Sequence, residues 1–385
     1  MLEINNDLRF VLVAFALVWL GLTIYVLLAR IVHSAVTLVA RRVQEAVLAP
    51  ENERRRGRLL RSALERMAAD AETPPEVATR ISDYLVRRYG ASIIARARSG
   101  RRRWKRVQAL RILARAGADA AVPLLEEALQ SDDEALVASA VAALGGLGDR
   151  RASEVLVQGL RGNRFARSRL AAHLNETSAP IDDLLLPLLA EEEPQLRFWA
   201  ATLLSRYAGS PSVASELVRA VGDADPSVRA AAVESLAAGS SPAAPAAAAL
   251  LLGDPVWFVR AHAARALRDV DLDTAHIVAP LLADESWWVR AAAKETLAAR
   301  PAAARAVLLD YLDHPDAFAR NGAAEVLQNL GILDELLAGG VEVEAHGDRP
   351  SPALRILAAG GPRLRRAAAL RNGLDVEELE RLASR

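Results

Sequence analysis

The sequence predicts an all-α protein: an N-terminal transmembrane helix followed by an α-solenoid of about eight helix pairs. Three observations predict it. Phe10 to Ala29 is a run of twenty residues without a charge. A segment of about thirty residues then recurs in tandem, so that "DPVWFVRAHAARAL" at 254–267 returns as "DESWWVRAAAKETL" at 284–297. Finally, hydrophobic residues make up 52% of the chain but aromatics only 4%. The apolar mass is mostly alanine, leucine and valine, with helix formers and small packers dominant and strand-type residues sparse.

The apolar run is about 30 Å long at 1.5 Å per residue, the thickness of a bilayer core. A cleaved signal peptide is the rival reading, but it expects a basic start and a shorter apolar stretch. Here the start is "MLEINNDLR", with Glu3 and Asp7 against Arg9. The expectation is a permanent anchor over 10–32, with residues 1–9 as a short extracytoplasmic N-terminus. Arg30, Arg41 and Arg42 follow the span, and Arg54, Arg55, Arg56, Arg58 and Arg61 come soon after. The positive-inside tendency then places the bulk of the chain in the cytoplasm, beneath an inner (cell) membrane crossed once. Trp19, Gly21 and Thr23 lie in mid-span, a weak pointer to helix–helix contact within the bilayer. Two lysines against 46 arginines read as a GC-rich, bacterial genome rather than as chemistry.

Residues 33–99 read as a basic helical connector and N-terminal cap. Pro50 and Pro74–Pro75 are the expected breaks, with helices near 51–71 and 76–89. Net charge is zero overall, yet Arg30 to Arg115 holds 21 basic and 8 acidic residues. Two functions compete for that surplus. Arginines near the inner leaflet attract anionic lipid headgroups, at roughly 1 kcal/mol each near the surface. Alternatively, "RARSGRRRWKRVQALR" (96–111), with Trp104 among its arginines, is a candidate nucleic-acid strip. Arg54, Arg55, Arg56, Arg101, Arg102 and Arg103 are the candidates for either ligand. Topology and helix solvation alone also account for such a surplus.

The repeat occupies 100–338. With the arginine of each "VR" as a register mark, the marks are Arg106, Val137 (in an arginine's place), Arg167, Arg197, Arg229, Arg260, Arg290 and Arg320. They are separated by 31, 30, 30, 32, 31, 30 and 30 residues. Seven positions after each stands a leucine: Leu113, Leu144, Leu174, Leu204, Leu236, Leu267, Leu297 and Leu327. Within a unit, apolar residues recur at three- and four-residue spacing, which makes one helix face apolar. Breakers such as "GGLGD" end the first helix, and a second carries its own leucines, as in "AAVPLLEEAL". One such pair cannot bury its own apolar face, but stacked pairs can. Alanines let paired helices approach closely, and eight units at about 10 Å each give a rod of roughly 80 Å.

"DADPSVRAAAVESL" (223–236), "DPVWFVRAHAARAL" and "DESWWVRAAAKETL" resemble HEAT repeats of the short, bacterial, phycobilisome-lyase type. The resemblance covers about residues 100–335 and implies an α-solenoid. For function it is weak, since such repeats serve scaffolds, adaptors and a few enzymes. Acidic residues precede the mark by six positions at Glu191, Asp223, Asp254 and Asp284. The resemblance implies a structural ladder in which Arg197, Arg229, Arg260 and Arg290 tie neighbouring units together through Asp223, Asp254 and Asp284.

Aromatic residues are also placed periodically. Trp104, Phe165, Phe258, Trp288 and Phe318 stand two before a mark, Trp257 and Trp287 three before, and Phe198 and Trp199 just after Arg197. Equivalent sites in stacked units lie side by side, so a stripe of rings is expected along one edge. Ordinary packing between units is one use for it, and a recognition surface is the other. The partner-binding candidates are Trp257, Phe258, Trp287, Trp288, Trp199 and Phe318.

Enzyme machinery does not emerge from the sequence. The histidines are His33, His173, His262, His276, His314 and His346, with no pair at i, i+4 spacing and none followed by glutamate. HEAT-type deoxyhypusine hydroxylases carry repeated His-Glu metal ligands, and this chain has none. "GGLGDR" ends a helix rather than following a strand, so it is no phosphate loop, and no serine sits in a nucleophile elbow. Chromophore attachment and excision of alkylated bases, both found among HEAT-like proteins, do not suit a membrane anchor. With no cysteine, disulfides and thiol chemistry are excluded. No catalytic, cofactor or metal residue is expected, and no small-molecule substrate. Residues 339–385 read as a loop and helical cap over the last exposed face. The expected function is a membrane-anchored cytoplasmic scaffold or adaptor that binds a protein partner without catalysis. One class of partner such an anchored scaffold can support is an integral membrane enzyme, for example a polysaccharide-synthesising glycosyltransferase. The alternative is a nucleic-acid-binding HEAT protein using 96–115.

Overall fold

Every element in the described residues of the computed structural model is helical. These residues are 59–70, 72–100, 102–117, 120–162, 167–268, 274–338 and 350–383. Among them are 21 α-helices and three short 3-10 helices, with no strand. The expected transmembrane helix at 10–32, together with Arg54, Arg55 and Arg56, lies outside the described residues. Among the described residues, no helix is long and apolar enough to cross a membrane.

The described residues up to Leu156, with Glu176–Ala179, form one compact unit; Val157–Asn175 and the chain from Pro180 onward form a second. The first unit begins with helices Leu59–Ala69 and Pro75–Ser99. The second of these runs ten residues beyond the expected end at 89. Tyr89 leaves helical geometry (φ −136°, ψ 20°) just before Gly90, but Ile93 and Ala97 continue the buried face and the chain resumes its helix. Helices Arg103–Arg115, Ala121–Leu129 and Glu134–Leu147 follow. Asp133 caps the last of these by accepting the N–H groups of Ala135 and Leu136 at 3.1 and 3.3 Å. Gly148 ends it in the left-handed region (φ 62°), as the "GGLGD" breaker implies.

In the second unit the mark-bearing helices pack one after another: Pro194–Leu203, Pro226–Ala238, Trp257–Ala266, Trp287–Ala298 and Ala317–Asn329. Proline in the first turn of the helices starting at Pro194, Pro211, Pro226 and Pro301 sets φ where no amide bond is lost. The leucines seven after each mark are all 0–2% exposed, so each repeat places its leucine in the interior. Hydroxyls six after two marks tie neighbours through the core. Ser235 Oγ donates to the Ala201 carbonyl and Thr296 Oγ1 to that of Ala264, both at 2.8 Å and buried.

The intervening helices are short, which explains a thirty-residue step where about 40–47 is usual. Asp182–Leu185 passes into a 3-10 helix at Leu186–Ala190, and Ala275–Val278 into one at Ala279–Ala283. Pro187 and Pro280 sit at these junctions and lack the amide hydrogen a longer α-helix needs. The chain ends with helices Pro352–Ala359, Pro362–Asn372 and Val376–Ala383. Arg355 anchors the first of them on the last repeat, donating to Asp313 Oδ2 at 2.6 Å and to the Leu309 carbonyl at 2.7 Å.

Leu267→Ala is expected to destabilise the second unit by about 3 kcal/mol, the transfer and cavity penalty of a fully buried leucine. Leu250→Ala, at a position 76% exposed, is expected to stay within about 0.5 kcal/mol. Urea denaturation followed by circular dichroism checks both, and equal effects would overturn the repeat register.

Candidate partner-binding surface

The exposed edge of the second unit is built on the mark arginines. Arg197 donates through Nε and Nη2 to both Asp223 oxygens at 2.7 and 2.8 Å. Arg229 does the same to Asp254, and Arg260 to Asp284, each at 2.7 and 2.9 Å. The remaining nitrogen, Nη1, turns back to its own unit. It donates to Glu191 and Glu192 carbonyls from Arg197, to Asp223 and Ala224 from Arg229, and to Asp254 and Pro255 from Arg260. Each ladder aspartate also accepts, at 2.8 Å, the backbone N–H two residues on. One guanidinium therefore joins its own loop to the next, and the aspartate shapes the turn that starts the next helix.

Electrostatics follow from this geometry. The Arg197 fork holds the Asp223 carboxyl below the usual carboxylate range, against the upward push of burial. For Asp254, burial is the largest influence and raises the carboxyl, but the Arg229 fork, the Val256 N–H and the positive charges of Arg229 and Arg260 together bring it below its ordinary value. The same forks raise Arg197, Arg229 and Arg260 above the ordinary arginine value.

The ladder departs from the sequence expectation at both ends. Glu191 stands six before Arg197, but its carboxylate takes Arg161 Nε at 2.9 Å. The fork from Arg167 goes instead to Glu193, at 2.5 and 2.7 Å. With three consecutive glutamates in that loop, the third has the reach. At the other end Arg290 donates to the carbonyls of Asp284 and Glu285 at 2.7 and 3.0 Å. The next ladder slot is His314, whose Nδ1 accepts the Asp316 N–H at 3.1 Å as an aspartate oxygen would. It offers no fork acceptor, and the Arg290 guanidinium lies over the Phe318 ring, 4.2 Å from its centroid.

On this frame the aromatic candidates separate. Trp257 and Trp288, on successive mark helices, stack at 6.3 Å with planes 24° apart. Trp287 meets Trp288 edge-on at 4.8 Å, and Phe258 meets Trp257 edge-on at 5.8 Å. Trp257, Trp287, Trp288 and Phe318 are 43%, 57%, 54% and 60% exposed. Phe198 and Trp199 form a separate, half-buried pair at 5.1 Å. The helix between them and Trp257 carries Ser227 at the aromatic position, so the expected stripe is interrupted there. Phe165 lies outside the described residues.

Further along the same helices, polar side chains pair across units. His262 meets Glu234, Arg265 meets Glu295 at 3.2 Å, and Lys294 meets Glu325 at 2.7 Å. The sequence reading missed these pairs; their near-thirty spacing was the available signal. Among the described residues, no group of three or more His, Cys, Asp or Glu could hold a metal ion.

In the first unit, much of the basic surplus is structural. Arg96 holds the buried Glu65 by two bonds at 2.7 and 2.8 Å, and Arg61 adds a third at 2.9 Å. Burial alone would raise the Glu65 carboxyl, but these bonds leave it below its ordinary value. Arg111 donates to the Ala69 carbonyl and Arg115 to those of Ala68 and Asp70, satisfying the end of the first helix. Arg106 donates to the Ala97 carbonyl. Arg102 and Arg103 are exposed beside Trp104, with Arg103 3.6 Å from Asp133. Arg101 lies outside the described residues. Arg66, Arg103, Trp104 and Arg111 line a groove of about 590 Å³.

The chain matches the family of HEAT repeats over residues 90–175 and 182–268. Those two stretches are HEAT repeats, and the described helices stack on one another as those of an α-solenoid do. Among solved structures it is similar to Kap121p, at 15% identity over 84% of this chain and 42% of that one, with a TM-score of 0.47. The chain thus spans about two fifths of Kap121p. It is also similar to an engineered protein (18% identity, 83% of this chain and 97% of that one, TM-score 0.36). A third likeness is to human deoxyhypusine hydroxylase in complex with glycerol (20% identity, 67% and 99%, TM-score 0.27). No curated protein matches the sequence.

Two outcomes test the ladder. His314→Asp supplies the missing fork acceptor for Arg290 and is expected to stabilise the second unit by about 1 kcal/mol in urea denaturation, as for a part-exposed bidentate pair. Asp223 and Asp254 have lowered values in the folded chain, so their contribution is complete above the unfolded value of about 3.9 and is lost as pH falls through the folded values. Stability measured against pH should therefore fall below about pH 4, and Asp254→Asn should make that fall shallower. An unchanged acid limb in the variant would count against the assignment.

Proposed function

We propose that this chain is a non-catalytic HEAT-repeat scaffold, tethered to the inner membrane by the 10–32 segment with its repeats in the cytoplasm, that grips a protein partner through the tryptophan edge of the second unit. The observation that carries the reading is the cluster of Trp257, Trp287 and Trp288, stacked across successive repeats yet left in solvent. Rings packed only to hold units together would be buried. Large exposed aromatics grouped on a rigid frame are what binding hot spots require. The case for the tether is the uncharged run alone. A tether raises the effective concentration toward a membrane-resident partner without any new contact, and an integral membrane enzyme such as a polysaccharide-synthesising glycosyltransferase meets that description. The absence of catalysis is inferred from the charged groups. In the second unit the most buried ones recur as Arg–Asp pairs from repeat to repeat and are occupied with each other.

The full chain purified from native membranes in mild detergent is expected to carry one stoichiometric membrane protein. Trp257→Ala, Trp287→Ala and Trp288→Ala combined should release it without changing the circular dichroism spectrum. Retention by the triple variant would overturn the reading.

Exposed Arg102 and Arg103 beside Trp104 support a nucleic-acid reading of 96–115, weakened because Arg96, Arg106, Arg111 and Arg115 are tied to the fold. Short DNA or RNA is expected to show no salt-steep binding that depends on Arg102 and Arg103. Binding abolished by Arg102→Ala with Arg103→Ala would favour this alternative over the scaffold.

A further inference from the structure

The tryptophan edge carries enough detail to define the chemistry of what it holds, granted the docking reading above. We infer that the Trp257–Trp287–Trp288 ridge takes an extended, arginine-rich segment of a protein partner, with guanidinium groups lying on the indole faces and Glu285 as their counter-charge.

Three observations converge. The first is charge. Residues 180–338 hold 22 acidic and 12 basic side chains, a net of −10. That field draws in a cationic segment, and it repels both anionic headgroups and a second copy of the same repeats. The second is which carboxylate remains available at the ridge. Asp254 and Asp284 each already accept a two-pronged arginine fork and a backbone N–H, so they have little capacity left. Glu285, two residues before Trp287, has a side chain 87% exposed and only a loose 3.6 Å approach from Arg260. The third is a precedent one repeat further on. There the chain sets its own Arg290 guanidinium over Phe318 at 4.2 Å, on a ring that stands two before its mark, as Trp288 does. The geometry of this edge thus accommodates a cation over a ring, and indole binds cations better than phenyl. Guanidinium also stacks flat on an aromatic face, which an ammonium cannot do.

The middle of the same helices offers no rival cation site, because Glu234, Glu295 and Glu325 are each met by a basic neighbour. An incoming arginine is therefore directed to the ridge. Trp257 and Trp288 cover one face of each other, so a ligand is left the remaining exposed surface of the cluster, with Phe258 perpendicular to Trp257 and Trp287 perpendicular to Trp288.

The test uses the full chain in nonionic detergent and a fluorescein-labelled peptide of alternating arginine and glycine, read by anisotropy and by indole fluorescence. The comparison probes are a lysine–glycine peptide, a glutamate–glycine peptide, an uncharged amphipathic peptide and phosphatidylglycerol vesicles. The arginine peptide is expected to bind and to shift the indole emission. Trp257→Leu with Trp288→Leu, which keeps apolar area but removes the π faces, should weaken it by about tenfold. Glu285→Gln should weaken it about threefold, with both variants keeping the wild-type melting temperature. The lysine peptide should bind more weakly than the arginine one, and the glutamate peptide not at all. Binding of arginine peptide that ignores the tryptophan change would reduce the effect to net charge and overturn the inference. So would stronger binding of the amphipathic peptide or of the vesicles. If the tryptophan variants release the native partner but the arginine peptide fails to bind, this inference falls while the docking reading stands. If the native partner is retained, the docking reading falls with it.

Discussion

A guanidinium with five donors in a rigid plane is the part on which the second unit is organised. Two donors of each interior mark arginine point forward to a carboxylate of the next repeat, and a third points back to carbonyls of its own loop. No ammonium can make this set of bonds, because it lacks the planar fork. The bonds fix where one helix begins relative to the next. They also fix the first helical turn, which holds the residues two and three before the mark. The tryptophans stand at those residues, so their arrangement follows from the ladder rather than from any contact among the rings alone.

Around that frame the energetics divide by depth. The alanines and the leucines seven after each mark fill the interior and supply the bulk of the stabilisation through burial. The ladder pairs sit at the margin of that interior, with Asp254 and Arg260 only 7% and 9% exposed. Pairs this buried must be complete, since one charge without its partner is strongly destabilising even where the intact pair adds little. The ion pairs further along the helices are more exposed and contribute less. His314 is the informative exception. It keeps the turn by accepting the Asp316 N–H but cannot take a fork, and the Arg290 side chain is redirected onto Phe318.

The charged groups recur from unit to unit and bond to each other, while exposed rings gather at one edge in a chain otherwise poor in aromatics. The first unit uses arginine differently. Arg96, Arg111 and Arg115 reach back to the first described helix, which converts a sequence-level basic strip into a set of internal ties.

Several features were legible from residue order because they depend on local periodicity. The mark step, the leucine seven later, the aspartate six before and the breaker at "GGLGD" each express a helix that must start, face inward and stop, and chain geometry imposes those rules wherever the helix sits. The apolar run at 10–29 is likewise a statement of sequence. Tertiary structure decided what depends on partners far apart in the chain. It assigned the Arg167 fork to Glu193 rather than Glu191, joined Trp257 to Trp288 while Ser227 kept Phe198 and Trp199 apart from them, and gave Arg115 to carbonyls 45 and 47 residues away. Spacing can bring two side chains to the same edge, but reach, rotamer and competing acceptors settle which of them touch, and those exist only once the helices are packed.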